Sequence, residues 1–545
     1  MRKIIPSPHA SLTAVIGLVL LVVVLYAQIL GGYFLADDFA YVAFSSSYPL
    51  ARWGNMFLQD DSKALWGYSL GLLRPIYGLN GIIQSRLFHA NAIGYHVVSL
   101  GLHIINVALV FRLAQRLFGA TRFVAFAAAL FFAVHPVHAE TVSWIGGQSD
   151  LLPTAFLLGA LLAFISFRRN GRLGSLATLT VLTALAVFTK ENTVVLPLLM
   201  AGYDLLQGRA ARARARREWL IAAAPYFSAL VILALYFMSR RIALRTALPS
   251  ASASELVTTI LRAMPQRYAD YTAGLLWPLD LSSATAWWAP GNVHLLLPFL
   301  LLFAAVPLLV GRRGSAPPAA GQNRYFFTGA IWFAVTTLPF LLSYSSPRHL
   351  YVVSAGFCIF LAATLLRLLA SRLKRLQTAC VIMVATLWAG GVVHECRSWR
   401  RAGAITRDFH RELAKLAHKP AGTAVIINVP PYYGSIGTLV WSVPFVLEPP
   451  SFIPSLEDHL IVLTNPPCYY APHLWPKNPA IARLREIDRA DTYIITFDQA
   501  AGWFRTDQLP VERVRHAADI LQRALVGKTG SAFDAEWFKF VAALQ

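Results

Sequence analysis

Charge is what this chain has least of. Of its 545 residues only 14% are Asp, Glu, Lys or Arg, while 56% are hydrophobic. A soluble chain carries about 25% charged residues. That deficit excludes a string of water-soluble domains and leaves a polytopic α-helical membrane protein. Acids are the scarcer sign: 27 Asp plus Glu stand against 48 Lys plus Arg, a net charge of +21. On a soluble protein such an excess would suggest nucleic acid. Here the basic residues sit in short connections between apolar runs, "FRRNGR" (167–172), "GRAARARARR" (208–217), "GRRG" (311–314) and "SRLKR" (371–375), without interleaved aromatics. That pattern belongs to the positive-inside rule and excludes nucleic acid as a partner. Cysteine is rare, with four in the chain. Cys358 and Cys380 fall in apolar runs, and Cys396 and Cys468 lie in the more polar tail, where an oxidising compartment would allow a disulfide. No cysteine spacing fits zinc. There is no internal repeat of 20–50 residues. Neither a P-loop nor a dinucleotide fingerprint occurs, so no nucleotide is implied.

What is present in quantity is long apolar runs. A span needs about 20 mostly apolar residues, and eleven candidates stand near 11–30, 93–115, 122–138, 150–167, 174–190, 192–207, 219–239, 293–311, 325–343, 349–369 and 376–394. The first follows a basic start and no clean cleavage site follows it, so an uncleaved span is expected rather than a signal peptide. With Arg2 and Lys3 in the cytoplasm and strict alternation, the basic connections around 116–122, 168–172, 209–217, 312–324 and 367–375 all fall on the cytoplasmic side. The other side then receives long loops at 31–92 and 240–292, the stretches "HPVHAETVSWIGGQSD" (135–150), "TKEN" (189–192) and "SSPRHLY" (345–351), and the tail. The expected division is a transmembrane catalytic domain over 1–394 and an extracytoplasmic domain over 395–545. In the tail, "TAVIINVP" (423–430), "HLIVLTN" (459–465) and "TYIITF" (492–497) read as strands and "RHAADILQRALV" (515–526) as a helix, together a small α/β domain.

Nearly every side chain capable of chemistry falls on that outer side. Asp37 and Asp38 follow the first span. Asp favours helix N-termini, so the pair can cap a juxtamembrane helix. A carboxylate at the membrane boundary is also desolvated and repelled by its neighbour, which raises its proton affinity and makes it a general base. His135, His138 and Glu140 admit three readings. A divalent cation is one, though no clear fourth ligand is in view, so no cofactor is expected. The imidazoles can instead bond inside the bundle where Pro136 ends a span, or the group can contact substrate. Lys190 and Glu191 end the fifth span as a snorkelling pair or as contacts to an anionic substrate. Arg348, beside His349, and Arg74 are further cations able to clamp a phosphate. Asp150 lies on the same side. Arg240, Arg241 and Arg267 rank below them as loop residues.

The order of basic N-terminus, one span, acidic pair in a long outer loop and many further spans resembles the GT-C glycosyltransferases. "NAIGYHVVSLGLHIINVALVFRLAQRLFG" (91–119), "FAVHPVHAETVSWIGGQSDLL" (132–152), "FTKENTVVLPLLMAGYDLL" (188–206) and "SPRHLYVVSAGFCIFLA" (346–362) resemble the TMTC-type transmembrane O-mannosyltransferases and their bacterial relatives over roughly 15–370. The usual Gly-Arg-x-Asp element reads Gly147-Gln148-Ser149-Asp150, the usual Glu-Arg reads Pro347-Arg348, and tetratricopeptide repeats are absent. The resemblance implies an integral-membrane inverting glycosyltransferase. It would move a sugar, mannose by the family's name, from a polyprenyl or dolichyl phosphate to an acceptor hydroxyl, protein Ser or Thr, on the outer face. A lipid or cell-wall glycan is the alternative acceptor, and a transporter or flippase the alternative class. In this scheme Asp37 or Asp38 is the base and Arg348, Lys190 and Arg74 hold the donor phosphate. His135, His138, Glu140, Asp150, Glu191 and His349 support or bind substrate. The compact loops lean to a bacterial inner membrane over the endoplasmic reticulum.

Overall fold

The structure, a computed structural model, describes residues 8–60, 62–63, 69–118, 122–207, 216–245, 253–276, 322–342, 346–368, 374–420, 423–428, 432–439, 460–463, 491–498, 503–510, 512–513, 516 and 519. Among the described residues, six helical stretches are long and apolar enough to cross a membrane: Leu12–Gly31, Ala92–Leu117, Ile145–Asn170, Leu220–Leu244, Pro347–Leu365 and Arg375–Leu416. Three shorter apolar helices lie at Phe123–Val134, Leu173–Thr189 and Thr328–Leu341. The chain is an integral membrane protein by this count.

The chain divides into two compact units. The first comprises Met1–Gly31, Tyr48–Gln84 and Ile93–Ser398; the second comprises Gly32–Ser47, Ser85–Ala92 and Trp399–Gln545. The expected boundary at 394–395 falls inside one unbroken helix.

In the first unit, α1 (Pro8–Tyr26) is followed by α3 (Pro75–Phe88), which runs on beyond this unit after Gln84, α4 (Ala92–Phe118) and α5 (Arg122–Val134). The short α6 (His138–Ser143), α7 (Gln148–Asn170), α8 (Leu173–Thr189) and α9 (Leu196–Leu206) come next, then α10 (Arg216–Leu244), α11 (Ala253–Leu276), α12 (Gln322–Thr337), α13 (Leu350–Leu368) and the start of α14 (Lys374–Leu416). The span ending in α13 is central, with 72% of its apolar window buried; the one in α10 is peripheral, with 17% buried. Peripheral spans turn Leu, Val and Ile outward because hydrocarbon, unlike water, accepts them.

Four expectations need amending. Of the span expected at 192–207, only the 11 residues Leu196–Leu206 are α-helical, after a 3-10 turn at Glu191–Val195. That is about 16 Å of helix, half of the hydrocarbon thickness. The loop expected over 240–292 contains the 24-residue α11. The span expected at 376–394 continues to Leu416, in a helix of 43 residues. Cys396 is a buried free thiol within it, and accepts a hydrogen bond from Ser143 Oγ at 3.5 Å. The candidate at 293–311, Cys468 and nearly all of the helix expected at 515–526 lie outside the described residues.

In the second unit, β1 (Ala424–Asn428), β4 (Leu460–Leu463), β5 (Thr492–Asp498) and β6 (Trp503–Leu509) form a sheet of order β4-β1-β5-β6. β1 is parallel to β4 and to β5, with Ala424 beside Leu460 and Thr492, and β6 is antiparallel to β5. Three of these strands occupy the three β-branched runs of the tail. β6, "WFRTDQL", holds four polar residues in a row, Arg505 to Gln508, so no apolar run or alternation announced it. A small hairpin joins β2 (Tyr432–Tyr433) to β3 (Ile436–Gly437) through Gly434 at φ +59°. The end of α14 rests on this sheet: Phe409 meets Phe504 at 5.8 Å between ring centroids, and Thr506 Oγ1 donates to Glu412 Oε2 at 3.0 Å.

Candidate functional site

The first unit gathers residues from five separate stretches into one polar cluster. α8 stops at Thr189, and Lys190 adopts extended backbone (φ −158°, ψ 135°) before the 3-10 turn begins at Glu191. Extended backbone sends successive side chains to opposite sides, so the neighbours Lys190 and Glu191 take different partners. Lys190 Nζ donates to Asp150 Oδ1 at 2.5 Å. Glu191 receives the fork of Arg74, with Nε to Oε2 at 2.9 Å and Nη2 to Oε1 at 2.5 Å. Asp150 stands in the first turn of α7, behind the Gly146-Gly147 turn. A Cβ on Gly147 would overlap the Thr141 carbonyl, so glycine alone allows the chain to fold back here and deliver Asp150.

Arg348 comes from the 3-10 turn Pro347–His349 that opens α13. Its guanidinium carbon lies 4.6 Å from the centre of the Trp144 ring, a cation–π contact. Glu140, whose charge faces Arg348, accepts a hydrogen bond from Ser346 Oγ at 3.0 Å. His349 stacks on Phe340 at 4.4 Å, and its Nδ1 lies 3.2 Å from Tyr271 Oη. Six charged groups, three cations and three carboxylates, thus share one region. The Lys190–Asp150 pair is buried, its side chains 7% and 3% exposed, whereas Arg74 and Glu191 are 20% and 36% exposed.

Burial shifts these groups unequally. Burial pushes the Glu191 carboxyl up, but Arg74 overrides it and holds the group at about 2. Burial also raises Glu140, against the pull of Arg348 and Ser346. Burial lowers Lys190 to about 8, with Arg74 and Arg348 adding to the fall and Asp150 resisting it. Lys190 is therefore a cation below about pH 8 and neutral above it. Binding of a phosphate that needs this cation is expected to weaken roughly tenfold between pH 7 and 9, the drop in the protonated fraction across such a midpoint. Lys190→Arg, which cannot lose its proton in this range, should flatten the profile. Titration with a lipid phosphate at fixed salt checks both; a slope unchanged by Lys190→Arg would refute the assignment.

Of the supporting residues, His135 and His138 are drawn into the bundle rather than the charged cluster. Both are fully buried. His138 Nε2 lies 2.7 Å from Ser354 Oγ, and His135 Nε2 lies 3.2 Å from the Leu275 carbonyl. The ring of His135 packs on Trp388 at 4.3 Å. Burial depresses both imidazoles, His135 to about 3, so both are neutral at pH 7. Glu140 points to Ser346 instead. Among the described residues no group of three or more His, Cys, Asp or Glu side chains is arranged to hold a metal ion.

Sequence reasoning missed Gln148 and its partners. Gln148 Oε1 accepts from Asn80 Nδ2 at 2.8 Å and Gln84 Nε2 at 2.6 Å. Its Nε2 donates to Gln84 Oε1 at 3.1 Å, the Tyr95 carbonyl at 3.0 Å and Ser99 Oγ at 3.1 Å. Only its position in the Gly-Gln-Ser-Asp element could have signalled this role. Gln148→Leu strands buried amides, each worth about 1–3 kcal/mol when unsatisfied. The expected result is a lower thermal midpoint in detergent, and an unchanged midpoint would refute it.

Asp37 and Asp38 belong to the second unit. They follow Ala36, which sits at φ +46°, a left-handed conformation costly to a residue with a Cβ. Asp38 is buried, accepts the Leu35 N–H through Oδ2 at 2.9 Å, and donates its own N–H to the Leu35 carbonyl at 2.9 Å. This aspartate closes the turn that leads into α2 (Asp38–Ser47), bonding back to Leu35. Asp37 is half-buried, and its carbonyl starts the helix by accepting the Tyr41 N–H at 2.9 Å. The two acids are therefore not equivalent.

Residues 82–237 match the family described as dolichyl-phosphate-mannose-protein mannosyltransferase. A protein O-mannosyl-transferase of Caenorhabditis elegans is 24% identical over 452 residues, covering 77% of this chain and 60% of that protein. Tmtc1 of Drosophila melanogaster, also a protein O-mannosyl-transferase, is 32% identical over 211 residues, covering 36% of this chain and 23% of its own length. The crystal structure of ArnT from Cupriavidus metallidurans bound to undecaprenyl phosphate superposes at a TM-score of 0.47 and 12% identity, covering 90% of this chain and 94% of that one. The chain spans less than two thirds of each curated relative, and over that span it resembles the TMTC-type O-mannosyltransferases.

Proposed function

We propose that the chain is an integral-membrane inverting glycosyltransferase that moves a sugar, mannose in its relatives' names, from a polyprenyl or dolichyl phosphate to a hydroxyl of a protein Ser or Thr. The observation that carries this reading is the cluster of Arg74, Lys190 and Arg348, three cations from separate stretches, with Lys190 just after the apolar helix α8 and Arg348 in the turn that opens α13. Cations converging at membrane depth mark an anionic ligand. Two of them belong to stretches that resemble mannosyltransferases acting from a lipid phosphate.

In the reaction the acceptor oxygen attacks the anomeric carbon from the face opposite the phosphate. The new C–O bond forms as the bond from carbon to phosphate oxygen breaks, and the configuration inverts. Asp37 takes the hydroxyl proton. The electron pair stays on the leaving phosphate, where Arg74, Lys190 and Arg348 stabilise it. No step runs through a metal or a nucleotide. The site faces the outer side of the membrane, the side to which the charge map assigns the acidic loop.

The test is transfer in proteoliposomes, with polyprenyl-phosphate [14C]mannose as donor and a Ser/Thr-rich peptide as acceptor. Label in the peptide is the expected result. Label only in a lipid extract redirects the reading to a glycan acceptor, and no transfer of label to any acceptor overturns it.

A further inference from the structure

The segment that carries the two aspartates is held along its whole length by partners from far down the chain. From one face of α14, residues 403, 406, 407 and 410 meet it, the i, i+3, i+4, i+7 spacing of a single helix face. Thr406 Oγ1 donates to the Phe34 carbonyl at 2.9 Å. Arg407 Nη2 donates to the Gly32 carbonyl at 3.1 Å, and its guanidinium lies 5.7 Å from the Tyr33 ring centre. His410 Nδ1 lies 2.7 Å from Tyr33 Oη, with the two rings edge to face at 5.4 Å. Gly403 lets the backbones touch, since a Cβ there would lie 2.7 Å from the Tyr33 nitrogen. Beyond the helix, the Thr438 carbonyl, just after β3, accepts the Ala36 N–H at 2.7 Å.

Successive backbone groups of Gly32, Phe34 and Ala36 are thus all taken. This explains how Ala36 is kept in a left-handed conformation. Release of any one grip would let it relax, and relaxation at residue 36 re-aims residues 37 and 38.

We infer that Gly403, Thr406, Arg407 and His410, with Thr438, are positioning residues that fix the direction of the Asp37 carboxylate. The α14 end and the domain after it are then part of the machinery for transfer rather than an appended acceptor-binding module. The inference rests on the proposed function for what Asp37 does, but the geometry it asserts can be measured separately.

Two variants test it in the full chain: Thr406→Val, which removes only the hydroxyl, and Arg407→Ala. Hydrogen exchange of the amides at 32–38 should speed up in both, while exchange within α7 and α13 stays as in the wild type. Turnover should fall by up to about a hundredfold, the loss that a misplacement of about 1 Å brings. KM for the lipid-phosphate sugar should hold, and Thr406→Ser should restore both readouts. Unchanged exchange at 32–38 in folded Thr406→Val and Arg407→Ala overturns the inference whatever the activity. Faster exchange with undiminished kcat shows that the segment is held but that its direction does not matter, and overturns it too. If the wild type transfers no sugar, the proposed function fails and the exchange data alone decide whether the clamp exists.

Discussion

Asp37→Asn is expected to abolish sugar transfer, with turnover falling by at least about a hundredfold while the protein stays folded. A positioned general base contributes about 10²–10⁴ in rate, and an amide of the same shape cannot take the proton. Asp38→Asn should behave differently. Asp38 is buried in the turn and its carboxylate accepts the Leu35 N–H; an Asn oxygen can still accept that bond. A smaller loss, accompanied by lower thermal stability, is expected there. Initial rates and melting midpoints of the two single variants decide the matter. Equal, complete losses would return the choice between the acids to where the sequence left it, and wild-type turnover in Asp37→Asn would refute its role.

The second large effect is on stability. Asp150→Ala leaves the Lys190 ammonium in a site where its side chain is 7% exposed. Breaking a buried pair from one side costs about 3–5 kcal/mol, because the surviving charge stays desolvated. The sign of the pH dependence follows from linkage. A lysine whose folded pKa lies below its unfolded value binds more protons when unfolded, so stability rises with pH between the two values. In the wild type that window opens at about 8. Without Asp150 it should open at lower pH, and the variant should regain stability on going from pH 6 to pH 9. Asp150→Ala combined with Lys190→Met should be more stable than Asp150→Ala alone. A double variant no better than the single one would show that the pair is not coupled.

Much of this was legible from residue types. Long apolar runs required spans, and "TKEN" and "SPRH" at their ends put a cation at a helix terminus whatever the tertiary structure. What could not be read was pairing. Nothing in the local sequence around residue 74 states that Arg74 meets Glu191, 117 positions away, with a bidentate fork. Periodicity also overcounted at 192–207, because "NTVVLPLLM" is apolar enough to span while Pro197 and the 3-10 turn before it shorten the helix. For His135 and His138 the spacing left a cation, the bundle and substrate open as partners, and each ring found its partner inside the bundle, His135 at the Leu275 carbonyl and His138 at Ser354 Oγ. The inequality of Asp37 and Asp38 was hidden because it comes from Ala36 and from residues more than 360 positions downstream.

The pairing of three cations with three carboxylates has a consequence for how a turnover ends. On the proposed reading the donor is a phosphodiester with one negative charge, and the product left behind is a phosphomonoester with a second ionisation near pH 6. The same cations that receive the donor therefore face nearly twice its charge once the sugar has gone. The spent lipid is the better electrostatic guest, and its release has to overcome that extra attraction. A site that begins electrically balanced, with Glu191 poised to reclaim Arg74, supplies its own competitor for that guest and so a means of letting it go.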